Sequence, residues 1–457
     1  MMTHDVCIIG GGPAGTRAAR LLAAAGKKTV LVESAEAGGT CLNRGCIPTK
    51  MLLGAVTARA GVLALERQRV LTADITLDYA ALHTRMQRFV AGTRQALGKQ
   101  LAAEGIELLS GYAVCEGPGR VQVKTGQGVR LIEAEDIIIA TGSRPASFPS
   151  MQPDHAVILD STDMLASNEV PESLLVVGGG VIGLEMADIF HALGCTVTVV
   201  EAAPHILPGE DDDIAAEMAK ALKKRGVTVL ADCKTQALAA RDGQAVLRLA
   251  DGRELTAARA LLAVGRRPLT QGLGCEHLGC RLDARGAVET DEFLEAASHV
   301  YAIGDVNGRV QLAHAAEHQA LYAARRILGQ VSGPYESGPV PACVYGSTEV
   351  MRVGLTARDA AAKGKVTVGV APLSANPIAQ AHGDISGFVK AVRCDGRLVG
   401  MAAVGHGVSH LVTAAQQLVL RRVDSGHPLA FMFAHPTLDE SLAAALDAPQ
   451  KEFSVQA

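Results

Sequence analysis

Two cysteines near the N-terminus have the spacing of a redox pair. Cys41 and Cys46 lie five positions apart in the segment GGTCLNRGCIPTK, residues 38–50. Asn43 and Gly45 between them predict a flexible loop that leads into a helix, and such a loop lets the two sulfurs meet in a small disulfide ring. A helix N-terminus favours a thiolate and so lowers the pKa of a cysteine there. These residues therefore predict two-electron thiol–disulfide chemistry.

The remaining cysteines predict packing rather than chemistry. Ten cysteines in 457 residues are too few for a disulfide scaffold, and in a reducing compartment most are expected to be buried thiols. Cys275 and Cys280 repeat the five-residue spacing but lack the following proline and lysine, and with His277 they offer no fourth metal ligand. His314 and His318 lie one helical turn apart without a carboxylate, so we predict no metal site.

The elements that position such chemistry follow from an internal repeat. An apolar strand, a G-x-G-x-x-G turn, a helical stretch and a second strand ending in an acid occur twice, at a constant offset. The glycines permit a tight turn that brings backbone N–H groups to a pyrophosphate, and the acid hydrogen-bonds a ribose. The two sets are Gly10, Gly12, Gly15 and Glu33, then Gly178, Gly180, Gly183 and Glu201. Two units predict two bound dinucleotides.

Composition narrows the class of protein. The chain is 48% hydrophobic and 20% charged, which is typical of a soluble globular protein of about three domains. A net charge of -4 without a long basic run argues against nucleic acid or an anionic membrane as partner. No run approaches the ~18–20 apolar residues of a membrane span. The first apolar stretch runs into Gly10 and predicts a strand rather than a signal peptide, so we expect a cytoplasmic protein.

The cysteine segment also carries a family resemblance. GGTCLNRGCIPTK resembles the active-site signature of the class I pyridine nucleotide-disulfide oxidoreductases, the family of dihydrolipoamide dehydrogenase, glutathione reductase and mercuric reductase. Further matches follow in order along nearly the whole chain: GGGPAG at 10–15, ATGSRP at 140–145, GGGVIGLE at 178–185, AVGRRP at 263–268, YAIGD at 301–305, LAHAAEHQ at 312–319 and HPTLDE at 435–440.

The resemblance implies an α/β fold with two Rossmann-like (three-layer ββα) dinucleotide-binding domains and a C-terminal α+β dimerisation domain. We expect an FAD-binding domain at 1–145, an NAD-binding domain at 146–265, a central domain completing the FAD site at 266–336, and an interface domain at 337–457. It also implies a homodimer whose active site is shared between subunits.

Individual roles follow from the same resemblance. Cys46 is expected to make the charge-transfer contact with the flavin, and Cys41 to exchange with the substrate. Lys50 is expected beside the flavin, paired with Glu185. The FAD site further includes Gly10, Gly12, Gly15, Glu33, Thr141, Gly142, Asp305 and Ala313, and the NAD site includes Gly178, Gly180, Gly183, Glu185, Glu201 and Gly265.

An acid–base pair is expected near the C-terminus. His435 and Glu440 resemble the pair that reaches the disulfide of the other subunit, and histidine titrates in the range needed to deprotonate a thiol. The alternative is a surface histidine followed by a helix whose first charge is Glu440. Arg44, between the cysteines, either supports a thiolate or is an exposed loop charge.

The substrate is expected from the best-matching members of the family. CLNRGCIPTK and residues 197–214 are most similar to the NAD-dependent members that oxidise dihydrolipoamide, and no arginine follows Glu201 up to Lys224 to hold an NADP phosphate. We therefore expect dihydrolipoamide and NAD to give lipoamide and NADH, with a small dithiol or a lipoyl-bearing protein as partner.

Two other functions remain open. One is an NADH-dependent reductase of another small or protein disulfide, because residues 346–354 and 374–384 and His410 depart from the usual pattern in the interface domain. The other is a redox-responsive subunit that binds FAD and NAD and turns over only incidentally.

Overall fold

The computed structural model describes residues 3–422 and 431–454. These residues divide into two compact units. Within the described ranges, the first comprises residues 3–49, 83–146 and 265–337, and the second comprises residues 50–82, 147–264, 338–422 and 431–454. The α/β class expected from the sequence is confirmed, and the finer four-domain division stays a prediction.

Twelve α-helices and twenty-four strands are assigned within these described ranges. The helices are α1 (Pro13–Ala24), α2 (Gly39–Arg44), α3 (Cys46–Arg67), α4 (Tyr79–Ala103), α5 (Ser161–Ala166), α6 (Val181–Ala192), α7 (Asp212–Arg225), α8 (Ala313–Ile327), α9 (Ala357–Ala361), α10 (Pro377–His382), α11 (Val412–Leu420) and α12 (Glu440–Asp447). The strands are β1 (His4–Ile9), β2 (Thr29–Glu33), β3 (Glu107–Ser110), β4 (Tyr112–Gly117), β5 (Arg120–Thr125), β6 (Gly128–Ile139), β7 (Ser143–Pro145), β8 (Ile158–Leu159), β9 (Ser173–Val177), β10 (Thr196–Val200), β11 (Thr228–Leu230), β12 (Thr235–Arg241), β13 (Gln244–Leu249), β14 (Glu254–Ala257), β15 (Arg259–Leu262), β16 (Arg266–Pro268), β17 (Glu295–Ala297), β18 (Val300–Ala302), β19 (Pro341–Val344), β20 (Glu349–Gly354), β21 (Val366–Pro372), β22 (Gly387–Cys394), β23 (Arg397–Gly405) and β24 (Lys451–Glu452).

The first unit is built on a parallel sheet in the order β18-β6-β1-β2-β3. Strand β17 pairs antiparallel at one edge, and β4 and β5 continue antiparallel from β6. Val6 to Ile9 of β1 are buried on both faces, as the continuous apolar run predicts for a central parallel strand. Ala18 and Leu22 of α1 pack on one face against Ile8.

The described residues of the second unit form three sheets. Strands β11-β10-β9-β15-β8 are all parallel, and β12-β13-β14 form an antiparallel meander. The C-terminal segment adds an antiparallel sheet in the order β19-β20-β23-β22-β21-β24. Its core includes Met351, Met401 and Leu442, so α12 packs on this sheet.

The proline-containing residues 145–170 and residues 266–268 predict two connectors in the chain, and the strands β7 and β16 at these points pair with each other. Strand β7 lies antiparallel to β16, with Arg144 opposite Arg267. The first unit is therefore closed at the two points where the chain leaves it and returns.

Two local expectations need correction. The segment between the cysteines is not a loop, because Cys41 and Asn43 lie in α2 and only Gly45 departs from helical geometry. The helical spacing of Ala, Leu, Arg and Gln predicts helix over residues 60–105, but this stretch contains the end of α3 and all of α4, and residues 68–78 between them form no regular element.

By length and composition, the helical stretch 39–67 is long and apolar enough to cross a membrane, contrary to the expectation that no stretch would be. Only 28% of its most apolar 18-residue window is buried within the protein. Leu52, Leu53 and Val56 of α3 are buried against protein, and Lys50 is ion-paired with Glu185.

Candidate active site

The two glycine turns have the same geometry. Gly10 and Gly178 follow the first strand of each repeat with φ of +108° and +109°, a region that strongly favours glycine. A Cβ on Gly15 would lie 1.8 Å from the Gly10 carbonyl oxygen, and one on Gly183 would lie 2.0 Å from that of Gly178. Only glycine allows the helix to pack this closely on the turn.

The helix that follows each turn begins without a side-chain cap. Gly12 is the N-cap of α1 and Gly180 is the N-cap of α6, neither makes a side-chain capping bond, and neither helix has an acid in its first turn. Backbone N–H groups at such a terminus attract an anion. The local chain therefore fits the pyrophosphate of a dinucleotide at both positions.

The acid at the end of each second strand is held in the same way. Glu33 accepts hydrogen bonds from the N–H groups of Gly11 at 2.7 Å and Ala35 at 2.8 Å. Glu201 accepts those of Gly179 and Ala203, both at 2.7 Å. The repeat seen in the sequence is therefore also a repeat of hydrogen bonding, which fixes each carboxylate beside its glycine turn.

The other residues expected around FAD gather at the same edge of the first sheet. Glu33 is the last residue of β2, and Gly10, Thr141 and Asp305 follow β1, β6 and β18; these four strands belong to one parallel sheet. The carboxyl ends of parallel strands form the ligand-binding edge of such sheets. The sheet order thus brings together residues that are far apart in sequence.

Asp305 lies in a network of polar contacts. Ser143 donates its hydroxyl hydrogen to the Asp305 carboxylate, and the Arg266 guanidinium lies 3.9 Å from it. The neighbouring Gly304 N–H is held by the buried Gln319 at 2.7 Å. The carboxylate is consequently held in place beside the carboxyl ends of the strands.

Thr141, Gly142, Ala313 and Gly265 complete the expected set. The Thr141 hydroxyl donates to the Leu269 carbonyl at 2.7 Å, and Gly142 has a φ of +73°. Ala313 is the first residue of α8, and Gly265 has a φ of +111° after β15. All four lie at turns or at a helix start.

Lys50 and Glu185 form the expected ion pair. The Lys50 ammonium donates to both Glu185 oxygens, at 2.8 and 2.7 Å. Glu185 is 4% exposed, and its burial raises the pKa of the carboxyl although Lys50 acts to lower it. The pair joins α3 to α6 within the second unit.

The two redox cysteines occupy a helix–turn–helix. Cys41 is half-buried in α2, and Cys46 is exposed as the first residue of α3. The Asn43 amide holds the preceding turn by donating to the carbonyls of Ala37 and Gly39, both at 3.0 Å. The helix start predicted after the pair is confirmed.

Arg44 has a partner that favours one of its two interpretations. Its guanidinium lies 4.0 Å from Glu36, whose other oxygen lies 3.2 Å from Arg94. All three side chains are more than a third exposed. This favours a solvent-facing charge cluster over direct support of a thiolate.

His435 and Glu440 are hydrogen-bonded to each other. The His435 Nδ1 lies 2.9 Å from one Glu440 oxygen, and the other oxygen accepts the Thr437 N–H at 2.9 Å. The hydrogen bond from the Thr437 N–H, and to a smaller extent the one with the His435 ring, lowers the pKa of Glu440 below its ordinary value. With Nδ1 bound to a carboxylate, Nε2 of the exposed ring is the atom that can exchange a proton.

The competing cysteines are buried. Cys275 and Cys280 lie with Cys7 and Cys115 in one apolar core. Burial raises the pKa of Cys275 to about 11 and that of Cys7 to about 12, so these thiols stay protonated. The packing interpretation of the second cysteine spacing is confirmed.

Comparisons with known proteins identify the family. Residues 4–320 match the family described as pyridine nucleotide-disulphide oxidoreductase, and residues 340–446 match its dimerisation domain. The chain belongs to this family. It is therefore a flavin-dependent, NAD-linked disulfide oxidoreductase that uses FAD and NAD(H).

Individual relatives are similar over nearly their whole length. Proteins named dihydrolipoyl dehydrogenase from Chlorobaculum tepidum and Bacillus subtilis are 35% and 34% identical, each covering 97% of its own length and 98% and 97% of this chain. Dihydrolipoyl dehydrogenase 3 of Pseudomonas aeruginosa is 36% identical, with 98% of both chains covered.

Solved structures agree with this family. The HOCl-induced flavoprotein disulfide reductase RclA of Escherichia coli, as a Cu(II) complex, has a TM-score of 0.87 at 28% identity, covering 98% of this chain and 99% of its own. LpdA of Mycobacterium tuberculosis has a TM-score of 0.87 at 27% identity, covering 97% and 99%.

Several polar residues at these sites were not anticipated from the sequence. The Tyr345 N–H donates a hydrogen bond to Glu185, and the Ser347 N–H donates one to the neighbouring Asp188. Gln319 accepts a hydrogen bond from the Gly304 N–H, in the turn beside Asp305. Asp188 lies three residues after Glu185, so helical spacing alone places it on the same face. The others are distant in sequence and carried no signal.

Proposed function

We propose that this oxidoreductase is a dihydrolipoamide dehydrogenase, which converts dihydrolipoamide and NAD to lipoamide and NADH. The observation that carries this proposal is the 34–36% identity to proteins named dihydrolipoyl dehydrogenase over nearly the whole chain. The cysteine pair and the His435–Glu440 pair supply residue types that suit a dithiol substrate. The partner is a small dithiol or a lipoyl group on another protein.

Cys41 and Cys46 carry the exchange with substrate. A thiolate of dihydrolipoamide attacks the Cys41 sulfur, which breaks the Cys41–Cys46 bond and forms a mixed disulfide. The second substrate thiolate then closes the lipoamide ring and releases Cys41. Both cysteines are now reduced, and the electron pair that they hold balances the oxidation of the substrate.

His435 removes the thiol protons that this exchange requires. Its Nε2 accepts a proton, and Glu440 on Nδ1 fixes the tautomer and stabilises the charged ring. We propose that His435 serves the cysteine pair of the other subunit in a homodimer. The match of residues 340–446 to the family's dimerisation domain supports this arrangement, because it contains His435.

The dinucleotides are held by the two repeats. FAD, when bound, supplies the two-electron relay between the dithiol and NAD. Gly10, Gly12, Gly15 and Glu33 hold FAD at the first turn, with Thr141, Gly142, Asp305 and Ala313 along the same sheet edge. Gly178, Gly180, Gly183, Glu201 and Gly265 hold NAD, while Lys50 and Glu185 orient the reacting rings.

A second candidate is reduction of a different disulfide by NADH. The similarity to solved structures of the flavoprotein disulfide reductase RclA of Escherichia coli favours it. The departures at residues 346–354 and at His410 lie in the segment that matches the dimerisation domain, which supports a different substrate entrance.

A substrate panel on the purified homodimer separates the two. We expect NAD-dependent oxidation of dihydrolipoamide, followed by NADH absorbance, to exceed that of other dithiols by at least about tenfold. A larger rate for NADH-dependent reduction of another disulfide contradicts the proposal. Cys41→Ser with Cys46→Ser is expected to abolish dithiol turnover while FAD stays bound, and persistent turnover overturns the role of the pair.

A further inference from the structure

Two buried carboxylates lie on one face of α6. Glu185 and Asp188 are three residues apart, and they are 4% and 3% exposed. Glu185 holds the Lys50 ammonium through both oxygens. Asp188 lies 3.2 Å from the Arg225 guanidinium. The face therefore carries two separate ion pairs side by side.

A single loop donates backbone hydrogen bonds to both carboxylates. The loop, Tyr345–Thr348, follows β19 of the C-terminal sheet. The Tyr345 N–H donates to Glu185 at 3.1 Å, and the Ser347 N–H donates to Asp188 at 2.6 Å. Tyr345 thus holds Glu185, and Ser347, two residues further along the loop, holds Asp188. A shift of the loop is therefore expected to move both carboxylates.

Gly346 makes this double contact possible. It lies between the two donors with a φ of +149°, and a Cβ there would lie 2.7 Å from an Asp188 oxygen. Any side chain would strain the backbone and displace the carboxylate. This gives a physical reason for a glycine within the divergent segment 346–354.

The side chain of Tyr345 covers the other half of the ion pair. The Lys50 ammonium lies 4.6 Å from the centre of the Tyr345 ring, within the range of a cation–π contact. Burial raises the pKa of the Tyr345 hydroxyl to about 12, so the ring stays neutral. Lys50 is therefore held between Glu185 and an aromatic face.

The far end of the loop is held as well. The Arg225 guanidinium that pairs with Asp188 also donates to the Thr348 hydroxyl at 2.9 Å. Arg225 is the last residue of α7, so the loop is bound by two helices of the same unit. The segment 345–348 has contacts at both ends and in its middle.

We propose that the loop Tyr345–Thr348 is a positioning element for the Lys50–Glu185 pair, and that Tyr345 is its main positioning residue for electron transfer from NADH. This inference rests on the proposed place of Lys50 and Glu185 beside the reacting rings. The Tyr345 ring lies over Lys50, and the Tyr345 N–H donates to Glu185. These two contacts restrict the movement of both side chains, so the ammonium stays at one position during reduction of the flavin.

The test compares Tyr345→Leu, which removes the ring, with Tyr345→Phe, which keeps it. We expect Tyr345→Leu to slow reduction of bound FAD by NADH by roughly 2- to 30-fold, the range of a cation–π contact, with the NADH Kd unchanged. We expect Tyr345→Phe to reduce bound FAD at the rate of the parent protein. Equal rates for the parent protein and Tyr345→Leu, or equal slowing by both variants, overturn the proposal.

A second readout does not depend on turnover. Amine labelling of Lys50, followed by mass spectrometry and normalised to Lys365, is expected to be faster in Tyr345→Leu than in Tyr345→Phe or the parent protein. Identical labelling in all three overturns the covering role of the ring. Gly346→Ala, which pushes on Asp188 without removing the ring, is expected to slow reduction by NADH, and an unchanged rate in it contradicts the positioning role of the loop.

A matched control breaks another contact of the same C-terminal sheet. The two carboxylate oxygens of Glu210 accept hydrogen bonds from Nε of Arg352 in β20, at 3.0 and 2.9 Å. Glu210→Gln is expected to lower the Tm without slowing reduction by NADH, and equal slowing overturns the proposal. Because no dithiol is used, failure of the lipoamide assignment leaves this test unaffected.

Discussion

At the scale of single residues, one carboxylate makes two hydrogen bonds with different purposes. Glu440 accepts a hydrogen bond from the Thr437 N–H, and this bond fixes the carboxylate at the start of α12. Its other oxygen is hydrogen-bonded to Nδ1 of His435, and that bond orients the imidazole ring. These two bonds keep the pKa of Glu440 below its ordinary value of 4.5. The carboxylate therefore stays charged through the mildly acidic range, where it can stabilise a protonated histidine.

Replacing this charge tests its purpose. Glu440→Gln keeps an oxygen acceptor but removes the charge, so we expect dithiol oxidation to fall by roughly tenfold or more, part of the ~10²–10⁴ contributed by a positioned acid–base group. Reduction of the flavin by NADH is expected to be unchanged. Stopped-flow measurement of each half-reaction checks this, with Asp439→Asn as control. A loss confined to the NADH half-reaction would refute the assignment.

At the scale of elements, each helix packs so closely on its glycine turn that no side chain fits at Gly15 or Gly183. A Cβ at Gly15 or Gly183 would lie only 1.8 or 2.0 Å from a backbone carbonyl oxygen, which is an impossible contact, and the carbonyl cannot rotate away. Strand and helix must separate if either residue gains a side chain. We expect the consequence to differ between the repeats, because the proposed function assigns FAD to the first and NAD to the second.

Alanine at Gly15 and at Gly183 is therefore expected to impair different dinucleotide sites. Gly15→Ala loses FAD, measured as flavin absorbance per chain, whereas Gly183→Ala retains FAD but binds NADH more weakly. Each is expected to lower stability by about 1–3 kcal/mol, as overpacking does. Gly54→Ala in α3, where a Cβ meets nothing within 4 Å, is the control and is expected to stabilise slightly. Loss of FAD in Gly183→Ala alone would contradict this division.

At the scale of the whole chain, a buried charge cluster links segments far apart in sequence. The Lys390 ammonium of β22 lies 2.8 Å from Asp211 and 2.6 Å from Asp213, and its side chain is 2% exposed. Asp211 also accepts the N–H groups of Ala357 and Arg358. The cluster joins the start of α7 to the C-terminal sheet within the second unit.

Removal of the buried cation is expected to be destabilising and dependent on pH. Burial acts to raise the pKa of Asp211, but Lys390 and the two N–H groups bring it below 3.8. Its contribution is therefore present above that value and is lost as the pH falls further. In Lys390→Met the lysine no longer lowers the pKa of Asp211, whereas burial still raises it. The variant is therefore expected to recover stability as the Asp211 carboxylate becomes protonated at low pH.

We expect Lys390→Met to lose about 3–5 kcal/mol at pH 7, as for a broken buried pair, with a smaller difference from the parent protein below about pH 4. Denaturant unfolding at the two pH values measures this. Lys365→Met, whose pair with Glu452 is exposed, is expected to change stability by less than about 1 kcal/mol. A loss for Lys390→Met that is constant with pH would argue against the linkage.

Much of the site is determined locally. Tight glycine turns, an acid after a strand and a cysteine pair before a helix depend on neighbours within about thirty residues, so the order of residue types alone predicts them. The loop predicted between the cysteines is nevertheless wrong. Asn43 forms bonds to preceding carbonyls there that propensity does not reveal.

The sequence by itself determined the two dinucleotide turns, the redox cysteines, the His435–Glu440 pair and, through resemblance, the family. Only the tertiary structure decided the contacts of Tyr345 with the Lys50–Glu185 pair, because the N–H and the ring of Tyr345 come from a strand end 160 residues away from Glu185. The same is true of Lys390 and Asp211, 179 residues apart. Contacts at such separations depend on how sheets and helices pack, and no local pattern of residue types specifies them.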